Sequence, residues 1–335
     1  MEQHIPFTKL PNEAQALALS LLDNIELIAF SLISQRAFAS AKSLNRVRND
    51  ISLDIGSDVT LSFEVPSKNE LIFYKDETPS PTKFHSPQTV TVRRYQVDPN
   101  SNRYSIIDRV WKNRTMVLKA WIQHIMALFH QSRLKLISIF SVHRFSVDDM
   151  HLLFAGSQVK ELNFECNNMT TRIQAPLLLV PDQFMCFSGS NTFQPPFEMQ
   201  LMLLQNVPTI KFINFQNLQL NDLLSCNSKE IWAAPLHISA KELRKWFKLW
   251  QNGANPRLET MHILFHANGP EIDWFLKSFS QYTDLPREAT DGYARGGAVI
   301  KKGFEIWRKN RRGSARVALG THGTFACDIT MKVFN

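Results

Sequence analysis

The run Ser239-Ala240-Lys241-Glu242-Leu243-Arg244-Lys245-Trp246-Phe247-Lys248-Leu249-Trp250-Gln251-Asn252-Gly253-Ala254-Asn255-Pro256-Arg257-Leu258-Glu259 carries a helix start, a buried face, a stop and a strand entry. Ser239 and Glu242 have the S-x-x-E spacing of a capping box. Leu243, Trp246, Phe247 and Trp250 follow at i, i+3, i+4, i+7, which paints one apolar stripe, while Lys241, Arg244, Lys245 and Lys248 take the other side. Gly253 ends the helix, and Pro256 prevents its resumption before an apolar stretch at 258–265 that reads as a strand. Burying such aromatics contributes about 1.5 to 3 kcal/mol each, so this helix demands a sheet to lie on. The large part of the chain is therefore expected to be α/β.

Working outward, strands are expected at 134–140, 159–164, 209–215 and 229–233 as well as 258–265. Val117, Trp121, Ile125 and Leu128 define a helix, and Ser146 with Asp149 resembles a capping box before Met150, Leu153 and Phe154. Most intervals between strands are about 20 to 30 residues, with one gap about twice as long, which is the period of leucine-rich repeats. Leu162-Asn163-Phe164-Glu165-Cys166-Asn167 fits the L-x-L-x-x-N core of such a repeat. From 298 onward the apolar period becomes two, at Phe325, Cys327, Ile329, Met331 and Val333, so the chain is expected to end in antiparallel strands.

Upstream the pattern differs. Ile51, Leu53 and Ile55 alternate with polar residues, Gly56-Ser57-Asp58 supplies a turn, and Val59, Leu61, Phe63 and Val65 alternate again, predicting a hairpin. Further strands are expected at 71–74 and 89–97, separated by an exposed loop from Lys75 to Pro87 that holds Pro79 and Pro81. Before Asn45 the spacing is helical. Ala14, Leu17, Ala18, Leu21 and Leu22 form one stripe behind Pro11, Asp23 can cap a second helix with Leu27, Ile28 and Leu32, and Ser34 can cap a third with Ala37, Phe38, Ala41 and Leu44. The expected division is a three-helix module at 5–46, a β-rich connecting region at 47–115 and a leucine-rich-repeat-like α/β domain at 116–335, with antiparallel strands at its start and end. The whole is α+β.

At 335 residues, 44% hydrophobic and 20% charged, the chain has the composition of a folded protein with a proper core. Cys166, Cys186, Cys226 and Cys327 have neither C-x-x-C spacing nor histidines at zinc-finger distances, so neither a disulfide framework nor a structural metal is expected. The start Met1-Glu2-Gln3-His4 lacks a basic signal region, and no apolar run reaches membrane-span length; a cytoplasmic or nuclear protein is expected. On that reading Asn113-Arg114-Thr115 and Asn168-Met169-Thr170 are chance sequons. Nucleophile elbows, phosphate loops, H-E-x-x-H and calcium loops are absent from the sequence, and Gly292, Gly296 and Gly297 have the wrong spacing for a dinucleotide loop. His262 and His266 would share one strand face without a third ligand, and the adjacent Asp148 and Asp149 point about 100° apart on a helix. The expectation is a non-catalytic chain without cofactor or metal.

Leu10-Pro11-Asn12-Glu13, then Leu21-Leu22-Asp23, Leu27-Ile28, Leu32 and Ser34-Gln35-Arg36 resemble the F-box, a three-helix motif beginning L-P-x-E. The resemblance implies docking on a Skp-type adaptor and, through it, on a cullin-RING ubiquitin ligase, with Leu10, Pro11, Glu13, Leu17, Leu21, Leu22, Leu27 and Leu32 at the adaptor-binding surface. Ala14, Gln15, Ala18 and Phe38 depart from the commoner larger aliphatics and tryptophan of that motif. About forty residues are too few for a self-sufficient core, so these stripes need covering by a partner or by the rest of the chain.

Phe215-Gln216-Asn217-Leu218, Asp222-Leu223-Leu224-Ser225-Cys226-Asn227-Ser228-Lys229 and the run Trp246 to Glu259 resemble the F-box-associated domain of nematode-type F-box proteins, over about 118–265. This implies presentation of a protein substrate to the ligase. The W-x-x-G-x-N-P-R-L string within it reads as helix stop, turn and strand entry before any binding role.

One feature concentrates charge. Lys301, Lys302, Arg308, Lys309, Arg311, Arg312 and Arg316 stand against Glu305 alone, a net +6 of the chain's formal +8. Basic residues on a hairpin commonly protect a strand edge. With Phe304, Ile306 and Trp307 nearby they also suit docking of an acidic protein segment, so Lys301, Lys302, Trp307, Arg308, Lys309, Arg311 and Arg312 are the candidate substrate contacts. The competing expectation is a nucleic-acid or acidic-ligand binding protein that uses the same region.

Overall fold

The computed structural model describes residues 7–47, 51–63, 69–74, 86–97, 104–113, 115–140, 147–165, 179–189, 196–215, 218–236, 238–266, 271, 274–275, 277–278, 299–309, 313–322 and 326–334. It is a mixed α/β structure with extensive sheet and several helices. The chain forms two compact units: Met1–Ile137 with His143–Val159, and Ser138–Val142 with Lys160–Asn335.

The first unit opens with three short helices, α1 (Asn12–Ser20), α2 (Asn24–Ser31) and α3 (Gln35–Lys42). Their starts follow from side-chain chemistry. Pro11 precedes α1 with extended backbone, Asp23 and Glu26 form a reciprocal capping box on α2, and the Ser34 hydroxyl accepts from Ala37 N–H on α3. Arg46 reaches back to donate to the Leu22 (2.7 Å) and Leu19 (3.3 Å) carbonyls and to that of Ser20, which satisfies the exposed C-terminal carbonyls of α1.

Helices α2 and α3 pack on α4 (Leu118–Leu128), whose Leu118, Trp121, Ile122, Ile125 and Leu128 are buried. Leu27 and Ile28 of α2 are wholly buried. Leu27 is therefore core and not itself part of an exposed adaptor-facing surface, a correction of the sequence expectation. Beyond them run β1 (Ile51–Ile55), β2 (Val59–Phe63), β3 (Asn69–Phe73), β4 (Thr89–Val97), β5 (Tyr104–Lys112) and β6 (Leu134–Ile139), in the sheet order β6-β1-β2-β3-β4-β5. The pairs β1–β2 through β4–β5 form an antiparallel meander. Strand β5 was not anticipated, because Ser105-Ile106-Ile107-Asp108-Arg109-Val110 does not alternate. Helix α5 (Val147–Phe154) also belongs here; its expected cap Ser146 lies outside the described residues, as do Val65 and most of the Lys75–Pro87 loop.

The second unit runs β7 (Val159–Glu165), β8 (Phe184–Ser188), α6 (Pro196–Leu203), β9 (Thr209–Ile213), α7 (Leu220–Ser225), β10 (Glu230–Leu236), α8 (Ala240–Gln251), β11 (Thr260–His266), β12 (Val299–Trp307), β13 (Ser314–His322) and β14 (Ala326–Phe334). Its order is β7-β8-β9-β10-β11-β14-β13-β12. The pairs β7–β8, β8–β9, β9–β10 and β10–β11 are parallel, whereas β14 pairs antiparallel with β11 and β13, and β12 with β13. Strand β8 fills the double-length gap left by the sequence reading. Phe184-Met185-Cys186-Phe187 is a short apolar run whose period alone does not separate strand from helix. Phe325 lies outside the described residues.

Parallel strands in consecutive order need crossovers of one hand, which puts their helices on one face of the sheet. On that face Leu162, Phe164, Met185, Phe187, Ile210, Phe212, Ile231, Met261 and Ile263 are sealed. Phe164, Phe187 and Phe212 stack in a row, with ring centres 5.5 Å apart at each step. Helix α8 is built as its residues demand: Ser239 and Glu242 make the reciprocal box, Leu243, Trp246, Phe247 and Trp250 are buried, and Gly253 turns the chain at φ 107°. Ser239 holds the Glu242 carboxyl below its ordinary range by hydrogen bonding from its hydroxyl and backbone N–H.

Candidate binding surfaces

The first candidate surface lies on α1 and α2. Two leucines of the α1 stripe face solvent: Leu17 is 66% and Leu21 80% exposed, Pro11 and Glu13 are exposed, and Ala14, Ala18, Leu10, Leu22 and Leu32 are half-buried. Ile33, at the end of α2, is 74% exposed. With Leu32 it borders a groove of 590 Å³ that is also lined by Ala29, Trp111, Met116 and Trp121. Isolated exposed leucines are ordinary, but two leucines one turn apart on the same helical stripe are candidates for an interaction surface.

The second surface is the face of the second unit's sheet opposite α6–α8. Strand register sets its rows. Glu161, Phe184, Thr209, Glu230, Thr260, Lys332 and Arg316 stand side by side in one row, and Asn163, Cys186, Lys211, Trp232, His262 and Thr330 in the next. The Lys211 ammonium sits 4.6 Å from the Phe184 ring centre and 5.4 Å from that of Trp232. These distances are within cation–π range. Glu161, Gln183, Phe184, Thr209, Lys211, Glu230 and Trp232 line a depression of 430 Å³ there. The Thr209 hydroxyl donates to Glu230 at 3.2 Å. His262 stacks on Trp232 at 5.7 Å, and its Nε2 is 3.0 Å from Asp328 Oδ1. The arrangement offers a cation held on two aromatic rings in a depression that Glu161 and Glu230 also line, which suits recognition of polar protein side chains.

Burial pushes the Cys186 thiol up to about 11, so it is not an activated nucleophile. Among the described residues no group of three or more His, Cys, Asp or Glu is placed to hold a metal, and no helix is long and apolar enough to cross a membrane.

The basic segment divides. Trp307 is 54% exposed and Lys309 is exposed, and Trp307 shares the open face with Arg316 and Phe334. Arg308 is only 8% exposed: its guanidinium lies 4.8 Å from the Trp250 ring centre and donates to the Asn255 carbonyl at 3.1 Å. Burial lowers its pKa from the ordinary value. Contrary to its place among the candidate contacts, Arg308 is used inside the fold, because α8 presents an aromatic ring where the chain leaves β12. Lys301 and Lys302 lie on β12 with side chains outside the described residues, as Arg311 and Arg312 are entirely. Sequence reasoning missed Phe184, Lys211 and Trp232. The available signal was a lone cationic or bulky residue between two apolar neighbours, as in Ile210-Lys211-Phe212 and Ile231-Trp232-Ala233.

No curated protein and no solved structure matches the chain. Residues 198–263, which span β9, β10 and α8 and include Lys211, Trp232, Trp250 and His262, match the family described as F-box associated.

Proposed function

We propose that the chain is the substrate-recognition subunit of a Skp-cullin-F-box type ubiquitin ligase, with no catalytic step of its own. The observation that carries the reading is the F-box-associated match at residues 198–263. The solvent-facing stripe of Leu17 and Leu21, in a segment whose L-P-x-E order resembles the F-box, supports docking of a Skp-type adaptor there. Leu10, Pro11, Glu13, Leu22 and Leu32 join that surface, while Leu27 supports it from beneath.

The protein substrate then docks on the open face of the second unit, from the Phe184–Lys211–Trp232 depression toward Trp307 and Arg316. An extended surface with aromatic anchors and mixed charge supports this, since interface energy concentrates in such anchors. The test is affinity purification of the full chain and of a Leu17→Asp, Leu21→Asp variant, followed by identification of bound proteins. Adaptor and cullin are expected with the parent and lost from the variant, while substrate persists with both. Adaptor recovery undiminished in a folded variant overturns the adaptor surface; no adaptor with either chain overturns the reading.

A further inference from the structure

β5 is the terminal strand of the first unit's sheet, and Ser105 to Val110 are all exposed. A nine-residue strand with an open edge is a ready template for another strand. Which of its backbone groups face outward is set by the register. Asn113 N–H donates to Gln88 O at 3.0 Å, continuing the β4–β5 pairing that sets Thr89 against Lys112. Backbone groups alternate sides along a strand, so Ile107, Arg109 and Trp111 also point toward β4, and Ile106, Asp108, Val110 and Lys112 point to the open edge.

We propose that this edge pairs with the same strand of a second copy of the chain, antiparallel about a two-fold axis at Asp108. The most exposed aliphatics of β5, Ile106 (56%) and Val110 (64%), stand two residues either side of Asp108 and share its outward phase and its face. Pairing about Asp108 therefore sets Ile106 of each copy opposite Val110 of the other, twice, in hydrogen-bonded positions. Moving the axis one residue to Arg109 or Ile107 sets Asp108 opposite Val110 or Ile106 and discards both aliphatic pairs.

The charge at the axis is already met. Arg93 grips Asp108 through two hydrogen bonds, of 2.9 and 3.0 Å, so each copy brings an ion-paired and not a bare carboxylate to the axis. A self-complementary patch is what an isologous dimer requires. Nothing in this pairing depends on the ligase reading.

The test uses the full chain. Sedimentation over roughly 1 to 100 μM, the range expected of an interface this small, is expected to show a monomer–dimer equilibrium. Val110→Pro removes an outward N–H and leaves the β4–β5 ladder intact, so it is expected to give monomer at every concentration with little change in melting. The register is read independently by mixing Ile107→Cys with Arg109→Cys under mild oxidation. In this register those positions face each other without hydrogen bonds, about 4.5 Å apart at Cα, within disulfide reach. Cross-linking is expected in the mixture and not for either variant alone or the parent. A parent that stays monomeric overturns the proposal, whether or not another protein's strand binds the edge. A dimer unaffected by Val110→Pro, or no cross-link in the mixture, overturns it equally.

Discussion

The Arg308 guanidinium lies over the Trp250 ring at 4.8 Å while it donates to Asn255 O, so the end of β12 is tied both to helix α8 and to the turn that follows it. A desolvated cation–π contact contributes about 2 kcal/mol, and a charged hydrogen bond about 1.5 to 3. Arg308→Ala is expected to destabilise the second unit by about 2 to 4 kcal/mol in urea denaturation, with Arg308→Lys closer to the parent. Unchanged stability in Arg308→Ala would return this arginine to the pool of surface cations.

The same turn depends on Asn255. It is buried with φ 47°, and its amide donates to the Leu223 (2.9 Å) and Cys226 (2.8 Å) carbonyls, which holds the turn after α8 to the end of α7. Asparagine tolerates that backbone better than most residues. Asn255→Ala leaves two buried carbonyls without this donor and is expected to cost about 2 to 4 kcal/mol, measured by the same denaturation. Asn255→Asp is expected to be at least as damaging, since its side chain donates nothing.

What was legible in the sequence was local. The Ser239–Glu242 box, the aromatic stripe of α8, the caps at Asp23 and Ser34 and the alternation of β1, β2 and β14 all express periods or caps that need no knowledge of partners. β5 and β8 escaped because Ile106-Ile107 breaks alternation and Phe184 to Phe187 is apolar throughout. Leu27 and Arg308 were misplaced for a different reason: apolar and cationic residues at the surface and in the core have the same local pattern. The Phe184–Lys211–Trp232 cluster joins three strands distant in sequence, and only register brings it together.

A pH dependence follows from His124. The Ser31 hydroxyl donates to Ile28 O at 2.7 Å, so at 2.8 Å it receives a hydrogen bond from His124 Nε2, whose ring packs 4.7 Å from that of Phe38. Burial lowers the histidine's pKa from its ordinary 6.5. Above that value folded and unfolded chains are both neutral here. As pH falls below it the unfolded chain takes the proton first, so stability falls until the folded pKa is passed. Melting of the parent is expected to drop more steeply than that of His124→Gln between about pH 7 and 5. Parallel curves would remove His124 from the linkage.

On the open face, Lys211 gives up little if removed. Its two cation–π contacts are half-exposed, each contributing about 0.5 to 1 kcal/mol, so Lys211→Glu is expected to lower stability by no more than about 2 kcal/mol. The same change inverts the one cation among the described residues that line the depression and is expected to reduce substrate recovery several-fold while adaptor recovery is unchanged. Equal recovery of substrate would move the docking place away from this cluster.

Two leucines of the helical segment separate the adaptor reading from simple core packing. Leu27 is wholly buried, so Leu27→Ala is expected to cost about 2 to 5 kcal/mol, the range for a leucine deleted from a core. Any loss of adaptor binding should then track the fraction unfolded. Leu21 is 80% exposed at the end of α1, so Leu21→Ala is expected to shift stability by under about 0.5 kcal/mol. If α1 is the adaptor surface, that same substitution weakens adaptor binding by about 2 kcal/mol, roughly thirtyfold, because interface energy collects in a few such side chains. Binding and denaturation measured on both variants give opposite patterns if the stripe is an interface. If both observables move together in both variants, the exposed stripe has no partner-binding role.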